Sequence, residues 1–250
     1  MGKLADAPKG KEACEQHAKE PKGAAAKRWK KRLKPVIAAA VVVALAAAAV
    51  AVYTRDIVPS RQRAATVGVF GSAVDVGDTI ALGEYEQDGK TGNGKEPIEW
   101  RVLAFSGNEM LLVSCQVLDC RQFNADASGE IDWDASTLKA WLEGEFTNAA
   151  FSSDEKALLS GAPFCLSDGE ISEYFENDAD RECKPTAYAV SQGVWSNNDN
   201  GCSHWWLRSP GHYPNYALYV FSSGDLNSFG CSVDHANIGV RPALWINLEP

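Results

Sequence analysis

The side chains best suited to chemistry in this sequence are four histidines and seven cysteines. Histidine serves acid–base catalysis and metal binding, and cysteine serves nucleophilic catalysis, metal binding and disulfide formation. His17 and Cys14 lie near the N-terminus, whereas all the others follow residue 110. None stands in a zinc-ligand or nucleophile motif, and no phosphate-loop or dinucleotide fingerprint occurs. The spacing therefore predicts no catalytic residue, no metal site and no cofactor.

A charge-free segment of eighteen residues, Val36–Tyr53, separates a basic N-terminus from an acidic remainder. As a helix it would be roughly 27 Å long, close to the thickness of a bilayer core. Residues 1–34 carry eleven Lys/Arg against four acidic residues, and six of those cations lie within residues 27–34. Clustered Lys/Arg stay on the cytoplasmic side and attract anionic lipid headgroups. We therefore predict a single-pass protein of the cell membrane with its C-terminal part outside.

The domain plan that follows has four parts. We predict a disordered basic cytoplasmic tail at 1–34, a transmembrane helix at 35–54, a linker at 55–76 and an extracellular domain at 77–250. A cleaved signal peptide with a long basic leader is the alternative for the first two parts. After residue 63 the chain carries ten Lys/Arg against twenty-eight acidic residues, which argues against a nucleic-acid partner.

Six cysteines fall in the predicted extracellular domain, where thiols can form disulfides. They are Cys115, Cys120, Cys165, Cys183, Cys202 and Cys231. The sequence leaves their pairing open. Neither a Cys-x2-Cys pair nor a closely spaced His pair occurs, which disfavours zinc.

Hydrophobic patterns predict the elements that would position any site. An alternating segment at 76–85 indicates an edge strand, and segments 98–104 and 109–114 indicate a hairpin that turns at Gly107-Asn108. Apolar residues at helical spacing follow a cap at Ser136 or Asp134. Capping boxes at 152–155 and 167–170 predict two further short helices. Strands around a few short helices make one α+β domain.

The C-terminal composition gives the only functional signal. Between Pro185 and Leu248 there is no Lys and no Glu, while Asn, Ser, Gly and Tyr are frequent, as in antibody paratopes. In a strand at Ala217–Phe221, alternation places Tyr219 on the face opposite Leu218. We expect the aliphatic side chains to face the core and the aromatic ones to face outward. A loop-rich β-region whose Asn and Ser only form turns is the alternative.

Two motifs, Trp205–Gly211 and Gly239–Leu248, carry a resemblance to a known family. Together with Trp100–Ala104, Ser136–Phe146 and Thr186–Ala189, they resemble ectodomains of gut bacteria. That family is similar to the C-type-lectin-like fold in its formylglycine-generating-enzyme branch. The branch includes the variable proteins of diversity-generating retroelements, in which adenine-directed mutagenesis randomises exposed C-terminal positions on a fixed scaffold.

The resemblance implies a C-type-lectin-like domain behind the transmembrane helix and a set of ligand-facing residues, which we name the candidate face. The candidate face consists of His212, Tyr213, Asn215, Tyr216, Tyr219, Phe221, Ser223, Asp225, Asn227, Ser228, Phe229, Ser232, Asp234, His235 and Asn237. The scaffold that it implies consists of Trp205, Trp206, Arg208, Ala217, Val220, Gly224 and Arg241.

The predicted function is that of a membrane-anchored surface display protein that binds a protein or a glycan. Calcium-lectin chemistry is not expected, because the Glu-Pro-Asn sugar-site motif is absent. One alternative is an oxidase like the formylglycine-generating enzymes, with Cys202 and Cys231 as its active pair. The other is a structural module that binds a neighbouring protein of the cell envelope.

Overall fold

The structure, a computed structural model, describes residues 42–52, 54, 58–130 and 132–249. The chain divides into two compact units, Met1–Ile57 and Val58–Pro250. In the first unit, residues 42–52 are helical and their side chains are exposed. No helix in the described part of the chain is both long and apolar enough to cross a membrane. The predicted tail lies outside the described residues, as does part of the predicted span 35–54, so both stay predictions.

The second unit contains short helices and two sheets. Its helical elements are α1 (Val58–Phe70), α2 (Thr137–Trp141), a π-helical turn (Leu142–Phe146), α3 (Thr147–Ala150), α4 (Ser153–Leu158), α5 (Asp168–Tyr174), α6 (Asp178–Arg181) and α7 (Ala187–Ser191). Its strands are β1 (Thr79–Tyr85), β2 (Glu96–Ser106), β3 (Glu109–Ser114), β4 (Asp119–Cys120), β5 (Trp205–Pro210), β6 (Tyr216–Val220), β7 (Leu226–Ser232), β8 (Gly239–Val240) and β9 (Ala243–Asn247). The predicted α+β class is confirmed.

Helix α1 occupies most of the segment that we expected to be a linker at 55–76. Its Thr66 is fully buried, and the Thr66 hydroxyl accepts a hydrogen bond from the Val74 backbone N–H at 3.0 Å. Val69 and Phe70 pack against the hydrophobic core. The folded unit therefore begins at Val58 rather than at residue 77, because these contacts join the segment to the domain.

The two sheets have the strand orders β1-β2-β3-β9 and β4-β8-β5-β6-β7. The predicted hairpin is confirmed as β2 and β3, and Gly107 in its turn has a φ of 59°. The Gly239–Leu248 motif forms two strands, β8 and β9, that belong to different sheets. The break falls at Arg241-Pro242, where proline has no N–H to donate to a continuous ladder.

The sequence-predicted helix starts are confirmed by their caps. Ser136 caps α2 by accepting from the Lys139 N–H. Ser152 and Ser167 form complete capping boxes at α4 and α5, in which their hydroxyls and the Glu side chains satisfy N–H groups of the first turn. Both Glu side chains also bind outside their helix: Glu155 accepts from the Gly83 N–H in β1 at 2.9 Å, and Glu170 accepts from the Arg208 guanidinium at 2.8 Å.

The core consists of two clusters of buried hydrophobic residues. Trp206, Ala217, Val233 and Val240 belong to one cluster, which also includes much of β1 and β2. Trp205, Leu207, Leu218 and Val220 belong to the other cluster. Neighbouring residues of β5 and β6 thus enter different clusters, as the alternation of side chains along a strand requires. The second sheet is therefore packed on both faces at its centre.

Candidate ligand-binding face

All fifteen residues of the candidate face reach the surface. The exposed members are His212, Tyr213, Ser223, Asp225, Ser228, Phe229, Asp234 and His235. The half-buried members are Asn215, Tyr216, Tyr219, Phe221, Asn227, Ser232 and Asn237. None of them is buried. Of the eleven residues between them, seven are buried: Ala217, Leu218, Val220, Ser222, Gly224, Gly230 and Val233. Pro214 and Ala236 are exposed, and Leu226 and Cys231 are half-buried. Core positions thus lie mostly between the surface positions in this part of the chain.

Strand β6 explains why the aromatic residues lie outward. Leu218 and Val220 are buried in one core cluster, as the alternation predicted. Tyr219 lies on the opposite side and packs its ring partly against the other cluster. The register of β6 with β7 shifts between Ala217 and Tyr219. Ala217 and Leu218 are both buried because they face different core clusters on opposite sides of the sheet.

Four aromatic residues form what we call the first ring cluster: His212, Tyr213, Tyr216 and Phe229. The His212 ring stacks on Phe229 with their centroids 4.7 Å apart. Tyr213 lies edge-to-face against both Tyr216 and Phe229, at 5.0 and 5.4 Å. Tyr213 and Phe229 are each 48% exposed, so the cluster offers a large apolar surface to solvent. Aromatic contacts of this geometry hold the rings in a defined arrangement.

Two glycines allow the chain segments of the first ring cluster to approach each other. Gly230 has a φ of 81°, and a Cβ atom there would lie 2.6 Å from the Ala217 carbonyl oxygen. A Cβ on Gly211 would lie 2.6 Å from the Tyr216 Cβ. Between them, the His212 N–H donates to the Phe229 carbonyl at 2.8 Å. The small residues thus fix the backbone that carries His212 and Phe229.

A second ring cluster lies around His204 and includes Trp195, Tyr219 and Phe221. Trp195 stacks on the His204 ring with centroids 4.6 Å apart, and Phe221 meets that ring at 5.4 Å. Trp195 is 42% exposed. Our sequence reasoning placed neither Trp195 nor His204 on the candidate face. The sequence signal that could have indicated this cluster is a tryptophan, Trp195, within an Asn/Ser-rich segment.

His204 also holds the turn between β6 and β7. Its Nδ1 accepts a hydrogen bond from the Ser222 N–H at 2.8 Å, so Nδ1 is unprotonated in this arrangement. Burial, together with the nearby His235, lowers the pKa of His204. A neutral imidazole is therefore the form that the turn requires at neutral pH.

The turn itself is pressed against helix α6. Gly224 has a φ of 80°, and its position beside the Asp178 carbonyl leaves no space for a side chain. The Arg181 Nε–H donates to the Gly224 carbonyl at 2.7 Å, and the Asn200 side chain donates to the Ser222 carbonyl at 2.8 Å. These contacts hold Ser223 and Asp225 in a fixed orientation.

Buried tryptophans and an arginine form the support beneath the face. Trp205 and Trp206 are fully buried, and the Trp206 indole N–H donates to the Arg121 carbonyl at 2.8 Å. The Arg241 guanidinium lies 4.9 Å from the Trp205 ring and donates to the Ser114 carbonyl at 3.0 Å. This agrees with the scaffold role that the resemblance implied for these residues.

The six cysteines of the predicted extracellular domain are all free thiols. Burial, and then Asp234, raises the pKa of Cys231 to about 12. Burial, and then Glu182, raises the pKa of Cys202. The thiolate is the reactive form of cysteine, and both residues lie in surroundings that disfavour it. The structure thus places neither residue in surroundings typical of an activated nucleophile.

A separate group of carboxylates lies on the β1–β2 connection. Glu86, Asp88 and Glu96 have oxygen atoms close enough to contact one cation together. Glu96 accepts from the backbone N–H groups of Gln87 and Asp88, and Asp88 accepts from the Asn93 side chain at 2.9 Å. These hydrogen bonds stabilise the conformation of the β1–β2 connection.

The candidate face lies within the part of the chain that matches a family model. No curated protein and no solved structure matches the chain significantly. Residues 107–163 and 160–248 match the family described as Domain of unknown function (DUF6273). The two matched segments cover more than half of the 250 residues and include every residue of the candidate face. The chain therefore belongs to the DUF6273 family.

Proposed function

We propose that this protein is a membrane-anchored surface display protein whose C-terminal sheet presents a ligand-binding face. The observation that carries the proposal is the exposure pattern of residues 205–241. Every residue of the candidate face reaches solvent, and most of the residues between them are buried, with close backbone packing at Gly224 and Gly230. The exposed side chains of such a face can change without changing the core.

The two ring clusters supply the affinity in this proposal. Binding sites usually depend on a few aromatic or Arg anchors within a polar surround. Tyr213 and Phe229 are exposed anchors of this kind, and Trp195 is a third. Around them lie Asn, Ser and Asp side chains that can form adaptable hydrogen bonds. This composition suits recognition of a macromolecule and requires no chemistry at the face.

The proposal includes a C-type-lectin-like fold and the diversification of the face by a retroelement. Support comes from the motif resemblance and from the buried positions of the Trp205–Gly211 and Gly239–Leu248 motifs. It also includes a membrane anchor at 35–54, for which the support is the charge-free segment beside the basic residues 27–34.

Comparison of this locus between sibling isolates tests the display function directly. We expect amino-acid substitutions to concentrate at the fifteen positions of the candidate face and to trace to adenines in the coding strand. The matched control is the scaffold segment Trp205–Gly211, which lies beside the face and should stay constant. Substitutions no more frequent at the face than in that segment would refute the diversified display function.

A further inference from the structure

We infer that the ligand of this face is a polypeptide segment that carries arginine or lysine side chains. The inference rests on the proposed function and adds the chemistry of its ligand. It is carried by the placement of unpaired carboxylates around the two ring clusters.

Within the described residues 185–248, neither Arg side chain is free to contact a ligand. Residues 185–248 contain two basic residues other than histidine, Arg208 and Arg241. Arg208 forms an ion pair with Glu170 at 2.7 Å, and Arg241 is buried against Trp205. Neither guanidinium is therefore free to contact a ligand at the face.

Three carboxylates lie near the ring clusters, and we name them the acidic rim: Asp126, Asp225 and Asp234. All three are exposed, and none forms an ion pair within the described residues. Asp225 accepts from the Ser223 hydroxyl and Asp234 from the Ser232 hydroxyl, which leaves both negative charges uncompensated.

Hydrogen bonds connect the chain segments of the acidic rim to those of the ring clusters. Asp225 follows Phe221 in the β6–β7 turn, where the Phe221 N–H donates to the Asp225 carbonyl at 2.8 Å. Asp234 lies next to Val233, whose N–H donates to the Asn215 carbonyl beside Tyr216. The Asn215 side chain in turn donates to Ala127, the neighbour of Asp126, at 3.2 Å.

Of the cations nearest the turn, Arg181 is paired with Asp178 while it donates to Gly224. Lys184 is exposed and forms no ion pair within the described residues. The three rim carboxylates outnumber this one unpaired ammonium group, and after residue 63 twenty-eight acids stand against ten Lys/Arg, so the charge balance at the face is negative.

Exposed aromatic rings beside carboxylates form a surface that fits arginine and lysine. A guanidinium stacks on an aromatic face and pairs with a carboxylate, and an ammonium group is attracted to the same ring face. An acidic glycan or an acidic protein would be repelled at this rim. Charge complementarity thus favours a cationic polypeptide over the other ligands that aromatic side chains can bind.

The experiment is selection of a random-peptide phage library on the full-length chain at low salt. Counter-selection on a Tyr213→Ser/Phe229→Ser variant retains the peptides that need the first ring cluster. We expect these face-dependent peptides to be enriched in Arg and Lys. Their affinity should fall about tenfold or more in the Asp126→Asn/Asp225→Asn/Asp234→Asn variant, and less at high salt, where charges are screened. Asparagine keeps a hydrogen-bond acceptor and removes only the charge.

The matched control is Glu84→Gln/Glu145→Gln/Glu176→Gln, which removes three exposed negative charges outside the acidic rim. It should leave the affinity within about twofold. Face-dependent peptides without an excess of Arg and Lys would overturn the inference, as would equal losses in the two triple variants. Face-dependent binding to a neutral glycan array alone would overturn the inference but support the display function. Absence of any face-dependent binder in both screens would count against the display function itself.

Discussion

His204 couples the protonation of one side chain to the position of the β6–β7 turn. Its Nδ1 must stay unprotonated to accept from Ser222, and its ring lies between Trp195 and Phe221. Protonation removes the acceptor and places a charge in a half-buried ring cluster. The rings and the turn therefore depend on the same neutral imidazole.

We predict that the stability of the folded domain decreases as the pH falls below about 6.5, the usual value for histidine. Because the pKa of His204 is lowered in the folded state, the unfolded chain binds more protons in this range, and stability is lost with falling pH. Urea unfolding between pH 7 and pH 5 measures the effect. In His204→Asn, whose Oδ1 can replace Nδ1 as acceptor, the decrease should be smaller. An equal decrease in both proteins would show that His204 does not cause it.

At the scale of elements, the β6–β7 turn is held by contact with helix α6 as well as by hydrogen bonds. Gly224 lies against Asp178, and the Arg181 side chain donates to the Gly224 carbonyl. The two elements therefore cannot separate without losing that hydrogen bond. The turn is thus part of the folded core rather than a free loop, although its tip carries exposed polar side chains.

We predict that Gly224→Ala destabilises the domain by at least about 2 kcal/mol more than Gly193→Ala. Both glycines have a positive φ, 80° and 106°, so both substitutions introduce similar backbone strain. Only at Gly224 does the added Cβ meet backbone, 1.7 Å from the Asp178 carbonyl oxygen; around Gly193 the described residues leave open space. Chemical denaturation of the two variants gives the comparison. Similar losses would mean that α6 moves away without cost.

Local patterns predicted the elements of this fold better than their assembly. The β2–β3 hairpin and the caps at Ser152 and Ser167 are determined by neighbouring residues, so the sequence alone indicated them. Helix α1 and the division of the last strand depend on contacts with distant residues. The exposure of Tyr213 and Phe229 followed from the resemblance and the composition, whereas the place of Trp195 depends on the ring of His204, nine positions away.

The anchor proposed at 35–54 accounts for the charge difference between the basic residues 1–34 and the acidic part of the chain after residue 63. Residues 27–34 suit an anionic membrane surface, and the acidic domain suits the opposite side. The segment is rich in alanine, so its preference for the bilayer is modest and easily reversed by charge. That sensitivity makes the anchor testable by substitution.

We predict that the full-length chain stays in the membrane fraction after an alkaline wash. The variant Ala47→Lys/Ala48→Lys should be released, because each lysine at the centre of a span costs about 3 kcal/mol on insertion scales. The control Ala24→Lys/Ala25→Lys adds the same charge to the tail and should stay bound. Fractionation followed by immunoblotting measures the outcome. Release of the unsubstituted chain by the wash would exclude the anchor.

Strand β7 lies at the end of its sheet, and several of its backbone groups form hydrogen bonds outside the ladder. The N–H groups of Phe229 and Gly230 both donate to the Asn227 side chain at 2.9 Å, and the Phe229 carbonyl accepts from His212. A strand edge occupied in this way resists pairing with another chain, so crowded copies should remain separate rather than polymerise. Position 227 is therefore limited to residues that can accept hydrogen bonds, even on a face that otherwise tolerates change.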